Sequence, residues 1–127
     1  MNMDERKEII NKYIEAYNNF DIQGMMSCLH SDILFRNISN GEVNTETRGI
    51  EEFKELAEKS TAIFSSRCQS VTGFAATEDK AEVQIDYEGI LAVDLPNGLQ
   101  TGDKIQLKGR TVFQIKEGKL ALIEDYS

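Results

Sequence analysis

A chain of 127 residues is long enough for one hydrophobic core and too short for two, so residues 1–127 are read as a single domain. Hydrophobic residues at 40% and charged residues at 28% exclude a disordered or fibrous chain. A net charge of −8 excludes the clustered basic surface that nucleic-acid phosphates require.

The first residues, Met-Asn-Met-Asp-Glu-Arg-Lys-Glu, are charged where a signal peptide is apolar. No run nears the roughly 20 apolar residues that span a bilayer. A cytoplasmic protein with no membrane partner is expected. Ile9, Ile10, Tyr13, Ile14, Tyr17 and Phe20 recur at three- and four-residue steps, which predicts a first helix capped by Asp4. Asp21 caps a short second helix with Ile22, Met25, Met26 and Leu29 inward. His30-Ser31-Asp32 reads as a turn with His30 facing solvent, and Ile33 to Ile38 as a strand that places Phe35 and Asn37 on one face. Ser39 to Glu42 is a loop.

After Gly49, the residues Ile50, Phe53, Leu56, Ala57, Ser60 and Ile63 predict a third helix of about four turns, with Glu55 and Lys59 paired on its solvent face. From Arg67 the period changes to two. Ala81, Val83, Ile85, Tyr87, Leu91 and Val93 alternate with Glu82, Gln84, Asp86 and Glu88, as in a strand with one buried face. Asp94 to Gly98 is a turn, and Ile105, Leu107, Thr111, Phe113 and Ile115 form the next alternating set. Lys116 to Lys119 closes a hairpin onto a last strand from Leu120, whose parity puts Ala121, Ile123 and Asp125 on one face. Gly73, Gly89 and Gly109, single glycines inside strands, predict bends or bulges.

Helices first and a meander afterwards make an α+β domain. Strands this long bury one face on three helices by curling, which predicts a cone with a cavity. Ile90 and Val112 on the outer face suggest a homodimer through the sheet. Cys28 and Cys68 show no Cys-x-x-Cys spacing and are expected as buried free thiols. The single histidine excludes a multi-histidine metal site; no metal and no cofactor are expected.

Four segments carry a resemblance: Tyr13-Ile-Glu-Ala-Tyr-Asn-Asn-Phe-Asp21, Leu29-His-Ser-Asp-Ile-Leu-Phe-Arg-Asn37, Arg48-Gly-Ile-Glu-Glu-Phe-Lys54, and Val112-Phe-Gln-Ile-Lys-Glu-Gly-Lys-Leu120 with Glu124-Asp-Tyr126. Over nearly its whole length the chain resembles the SnoaL-like branch of the nuclear-transport-factor-two-like superfamily. That resemblance implies a cystatin-like α+β roll, in which cone-shaped helices pack on a strongly curved antiparallel sheet. Members include isomerases, cyclases, hydrolases, dehydratases and carrier-binding proteins, so the fold leaves the chemistry open.

Similarity to ketosteroid isomerase places Tyr13 on an oxyanion tyrosine. The base aspartate of that family falls on Asn37, and its oxyanion acid on Thr111 or Arg110. Asn37 accepts no proton near neutral pH, which argues against that reaction. Similarity to limonene epoxide hydrolase places Asn37 and Asp125 on two water-activating positions. Phe35 stands where that family has a tyrosine, and its Arg-x-Asp pair falls near Glu88 and Ile90. Polyketide-cyclase relatives need a pocket acid or base, which Asp125 supplies.

The expected site is therefore an apolar pocket for a small hydrophobic ligand. Tyr13, Asn37 and Asp125 are its candidate catalytic residues. Tyr17, Phe35, Phe53, Tyr87, Thr111, Phe113 and Ile123 are its candidate ligand contacts, with Met25, Met26, Phe64 and Ile85 filling the wall. Burial predicts a raised pKa at Asp125 unless Arg110 pairs with it. Asn37 is expected to bond Asp125, Tyr13, water or a ligand. Three functions fit: small-molecule binding, a hydrolase or isomerase using Asp125 as base, or a protein-interaction module using the outer sheet face.

Overall fold

Helix α1 (Met3–Asn18) forms where Ile10, Tyr13, Ile14 and Ala16 return to one face, and burial of that face holds a helix that propensity alone leaves marginal. In this computed structural model, which describes residues 2–127, the α1 cap is Asn2, whose side chain accepts from the Glu5 N–H at 2.8 Å. Asp4, the expected cap, lies inside the first turn, where its charge faces the positive end of the helix dipole. Met1, the first residue of the amino-terminal reading, lies outside the described residues. Phe20 then takes a left-handed conformation (φ 56°), which turns the chain into α2 (Ile22–Ser27). As predicted, Asp21 caps α2, accepting from the Gly24 N–H at 2.9 Å.

Strands β1 (Leu29–Ser39) and β2 (Glu42–Arg48) form a hairpin through Asn40-Gly41, both at positive φ. Gly49, at φ 87°, leads into α3 (Ile50–Ile63), which buries Phe53 and Ala57. Glu55 and Lys59 pair on its solvent side at 3.5 Å. Then come β3 (Phe64–Ala76), β4 (Lys80–Leu91), β5 (Lys104–Lys116) and β6 (Lys119–Tyr126). The six strands make one curved, open sheet in the order β2-β1-β6-β5-β4-β3, and the three helices pack on its concave face. The α+β class and the cone are as expected.

The sheet is mixed and not wholly antiparallel, because β1 and β6 run parallel. Both strands start at the same end of the cone, where the Leu120 N–H donates to the Cys28 carbonyl at 2.8 Å, so they must run the same way. Strand β2 was not foreseen, and His30-Ser31-Asp32 belongs to an irregular start of β1. His30 is not solvent-facing: its side chain is 11% exposed, its Nδ1 accepts from the Asp32 N–H, and Glu117 stands 3.7 Å from Nε2. Cys28 is buried as expected, whereas Cys68 is exposed on the outer face of β3. Val93 is exposed in a bend past the end of β4, and Leu107 is exposed where it borders the larger of two cavities.

Of the three strand glycines, only Gly73 sits at a break in register. Gly89 lies in a regular ladder, where a Cβ would stand 2.9 Å from the Phe64 ring, and Gly109 faces the Tyr126 carbonyl in the same way. Their role is close approach, not bulging.

Candidate functional site

Strand register sets the site. Thr45, Asn37, Asp125 and Thr111 are consecutive partners across β2, β1, β6 and β5, so they form one polar row on the concave face. One step toward the helices lies an apolar row, Phe35, Ile123 and Phe113. The polar row is not covered. It faces a cavity of about 240 Å³ beneath α1 and α3, and a second of about 350 Å³ toward the open end of the sheet. Tyr17, Asn37, Gln69, Thr111 and Asp125 border both.

Asp125 is enclosed by protein except where it faces this space. The Thr111 hydroxyl donates to its Oδ1 at 2.7 Å. Burial lifts its carboxyl from the ordinary 3.8 to about 6, and the Thr111 bond holds it from rising further. Arg110, the alternative partner, turns away: it pairs with Glu82 at 3.2 Å and stacks over Tyr126. A carboxyl of this kind changes charge near neutral pH and can take or give a proton.

Asn37 does not bond Asp125, although the two are register partners. Its amide donates to Asn44 Oδ1 at 3.0 Å. The β1–β2 register slips between Asn37 and Ile38, leaving Asn44 as the extra residue of a bulge with its side chain turned to Asn37.

Tyr13 packs edge-on to Phe113, with ring centroids 6.1 Å apart, and makes no side-chain hydrogen bond among the described residues. Burial first, and the nearby Asp125 charge second, push its hydroxyl well above the usual range, so it stays a neutral donor. Tyr17 and Tyr87 meet hydroxyl to hydroxyl at 3.1 Å, and both titrate above the ordinary range because of burial.

Of the expected contacts, Phe35, Phe53 and Phe113 border the smaller cavity, Tyr87 the larger, and Tyr17 and Thr111 both. Ile123 is 1% exposed and belongs to the core, as its place between Phe35 and Phe113 dictates. Met25, Phe64 and Ile85 reach a cavity, whereas Met26 only packs against the core.

The wall is mixed, not apolar. Its main unforeseen member is Arg67 on β3, which is 5% exposed. Its guanidinium lies 3.7 Å from the Tyr17 ring centre and 4.5 Å from that of Phe20. Nε donates to the Tyr17 carbonyl at 2.9 Å and Nη1 to the Ser60 hydroxyl at 3.1 Å. The one sequence signal was parity: Arg67 and Gln69 alternate with Ser66, Cys68 and Ser70 and stand opposite Gly89 and Tyr87.

No cluster of three or more His, Cys, Asp or Glu side chains arranged to hold a metal occurs among the described residues, and no helix is long and apolar enough to cross a membrane.

Solved structures share this cone. A candidate polyketide cyclase from Xanthomonas campestris superposes with a TM-score of 0.83 at 16% identity, over 100% of this chain and 93% of that one. An LEH-like epoxide hydrolase from M. tuberculosis gives 0.77 at 16% identity, over 97% and 82%. AclR, a candidate hydroxylase from Streptomyces galilaeus, gives 0.77 at 19% identity, over 98% and 89%. At these identities the likeness establishes the fold alone, and no curated protein matches the sequence. The model of the SnoaL-like domain matches residues 10–123, nearly the whole of the cone and its cavity wall, and the chain belongs to that family.

Proposed function

We propose that the domain binds a small, largely apolar molecule in the cone cavity and moves a proton on it with Asp125. The observation that carries this reading is the Asp125 carboxyl itself, facing the cavity with a single hydrogen bond and a pKa near 6. A general base works best when its pKa lies near the operating pH, and such a group contributes about 10²–10⁴-fold to rate. Tyr13 supplies a neutral hydroxyl on the same cavity, suited to an oxygen on which negative charge develops. Asn37 is a positioning group tied to Asn44.

Carbanion-type chemistry fits better than attack of water on an epoxide. Epoxide opening needs an acid to protonate the leaving oxygen while a base takes the proton of water, and among the described residues Asp125 is the only side-chain carboxylate that borders either of these two cavities. Ring closures of the polyketide-cyclase kind and keto–enol shifts need only one mobile proton at a time. A candidate polyketide cyclase shares the fold, as does an epoxide hydrolase, so the preference rests on the single carboxyl and not on the neighbours.

The test is deuterium exchange at the carbon beside the carbonyl of 2-tetralone, followed by proton NMR in heavy water. The protein should accelerate exchange over buffer, with a rate that rises through pH 6 and then levels. Asp125→Asn should remove that acceleration while leaving tetralone binding within a fewfold. Exchange at the buffer rate, or equal rates in the two proteins, would overturn the assignment.

A further inference from the structure

Arg67 is a buried charge without a counter-ion among the described residues. The chain contains five arginines among 22 acidic residues. Arg36, Arg48 and Arg110 all hold carboxylates, at 2.7, 3.4 and 3.2 Å, although each is more exposed than Arg67. Arg67 forms no ion pair among the described residues. An acidic chain with no shortage of partners leaves its most buried guanidinium unpaired.

Part of the burial penalty is offset by what surrounds the group. Two aromatic faces and two hydrogen bonds hold its plane, its Nε and its Nη1. Nη2 is buried and has no hydrogen-bond partner. A buried donor left unsatisfied is destabilising, and a guanidinium cannot shed its proton to escape. Arg67 also forms part of the wall of the 240 Å³ cavity, with Ser60 and Gln69 beside it. Asp125 borders the same space and forms no ion pair with Arg67 among the described residues.

We propose that Arg67 is an anion-recognition residue of this cavity, and that the ligand carries a planar, delocalised oxyanion such as a carboxylate. The inference rests on the reading that the cavity takes a small molecule, and it adds the chemical class. Two aromatic rings hold the guanidinium, and its buried Nη2 is the donor left without a protein partner for a planar acceptor. The rest of the ligand then extends along the apolar row toward Asp125, which places the mobile proton and the fixed charge at different points of one molecule.

Calorimetric titration of the full chain with 2-naphthoate and 2-naphthamide at pH 7.5 tests this. The two probes share shape and apolar area and differ in charge. The acid should bind about tenfold or more tightly than the amide. On titration with naphthoate, the side-chain Nε–H signal of Arg67 should shift in nitrogen–proton correlation spectra. Arg67→Met should bring the acid-to-amide ratio to about one, and Arg67→Lys should leave an intermediate ratio. A purely structural arginine would change stability without moving that ratio. Equal affinity of the wild-type chain for acid and amide would overturn the assignment and leave the cavity reading standing. Binding of neither probe would overturn both.

Discussion

Two ionisable groups border one cavity from different strands and are treated differently by the fold. On the sheet wall, Asp125 receives one hydrogen bond, from Thr111, and burial drives its pKa to about 6. On the wall between α1, α3 and β3, Arg67 is held by two hydrogen bonds and two aromatic faces. A carboxyl can escape the penalty of burial by taking a proton, so weak support suffices and leaves it chemically mobile. A guanidinium has no such escape and must be solvated by the protein itself. The comparison assigns proton movement to one wall and permanent charge to the other.

The largest effect that breaks this contrast is on chemistry. Asp125→Asn should lower protein-catalysed exchange on an enolisable ketone by about 10²–10⁴-fold, while Arg67→Lys should leave the pH at which exchange levels unchanged. Exchange rates measured from pH 5 to 8 separate the two. A shift of that pH in the Lys variant would mean that the walls are electrostatically coupled.

Stability gives the next effect. Because the folded-state pKa of Asp125 is raised above the ordinary 3.8, the native state binds a proton more tightly than the unfolded chain. Its ionisation destabilises the fold progressively from about pH 4 to 6, and the full penalty stands above pH 6. At 1.36 kcal/mol per unit, about two units amount to roughly 3 kcal/mol. Asp125→Asn should therefore stabilise the protein at pH 8 by up to about 3 kcal/mol and change little near pH 4, as urea melts at the two pH values would record.

Arg67→Met should act in the opposite direction. It leaves the Tyr17 carbonyl and Ser60 without their donor and should destabilise by about 1–2 kcal/mol. Since neither the Tyr17 carbonyl nor the Ser60 hydroxyl titrates in this range, the loss should be the same at pH 5 and pH 8. A pH-dependent loss would show that Arg67 and Asp125 sense each other.

The same contrast explains what the sequence disclosed. Helices α1 and α3 and strands β4 and β5 bury one regular face, so Ile10, Phe53, Val83 and Phe113 repeat with the period of their element, whereas β6 breaks register at Ala121 and buries Leu120, Leu122 and Ile123. Asp125 was legible by its two-residue step from Ile123, although the break at Ala121 puts Leu120, which strict parity sets on the other face, in the core with Ile123. Strand β3 hid its period for two physical reasons. Its inward positions 67 and 69 are polar because they line the cavity, and the register break at Val71 and Gly73 reverses the parity before Phe74. Strand β2 is an edge strand with only Thr47 buried, and it carries almost no apolar signal. Arg67 was therefore concealed by the feature that makes it part of the site. Asn37 was legible in position but not in partner, since the bulge that presents Asn44 has no mark in the sequence.

The smallest effect concerns the one bond that tunes the mobile wall. The Thr111 hydroxyl donates to Asp125 at 2.7 Å and favours the charged carboxylate, opposing the upward push of burial. Thr111 is 5% exposed and sits directly opposite Asp125 on β5, so valine fills nearly the same volume without the donor. Thr111→Val should raise the Asp125 pKa above 6 by up to about one unit, a difference of about 1 kcal/mol between the two protonation states. The pH at which exchange levels should move up by the same amount. Stability should fall by about 1 kcal/mol at pH 8, where the carboxylate has lost its donor, and should be less affected at pH 5. Carbon NMR of the Asp125 carboxyl across pH 4–8 reads the shift directly, and an unchanged midpoint would show that burial alone sets the proton affinity of this wall.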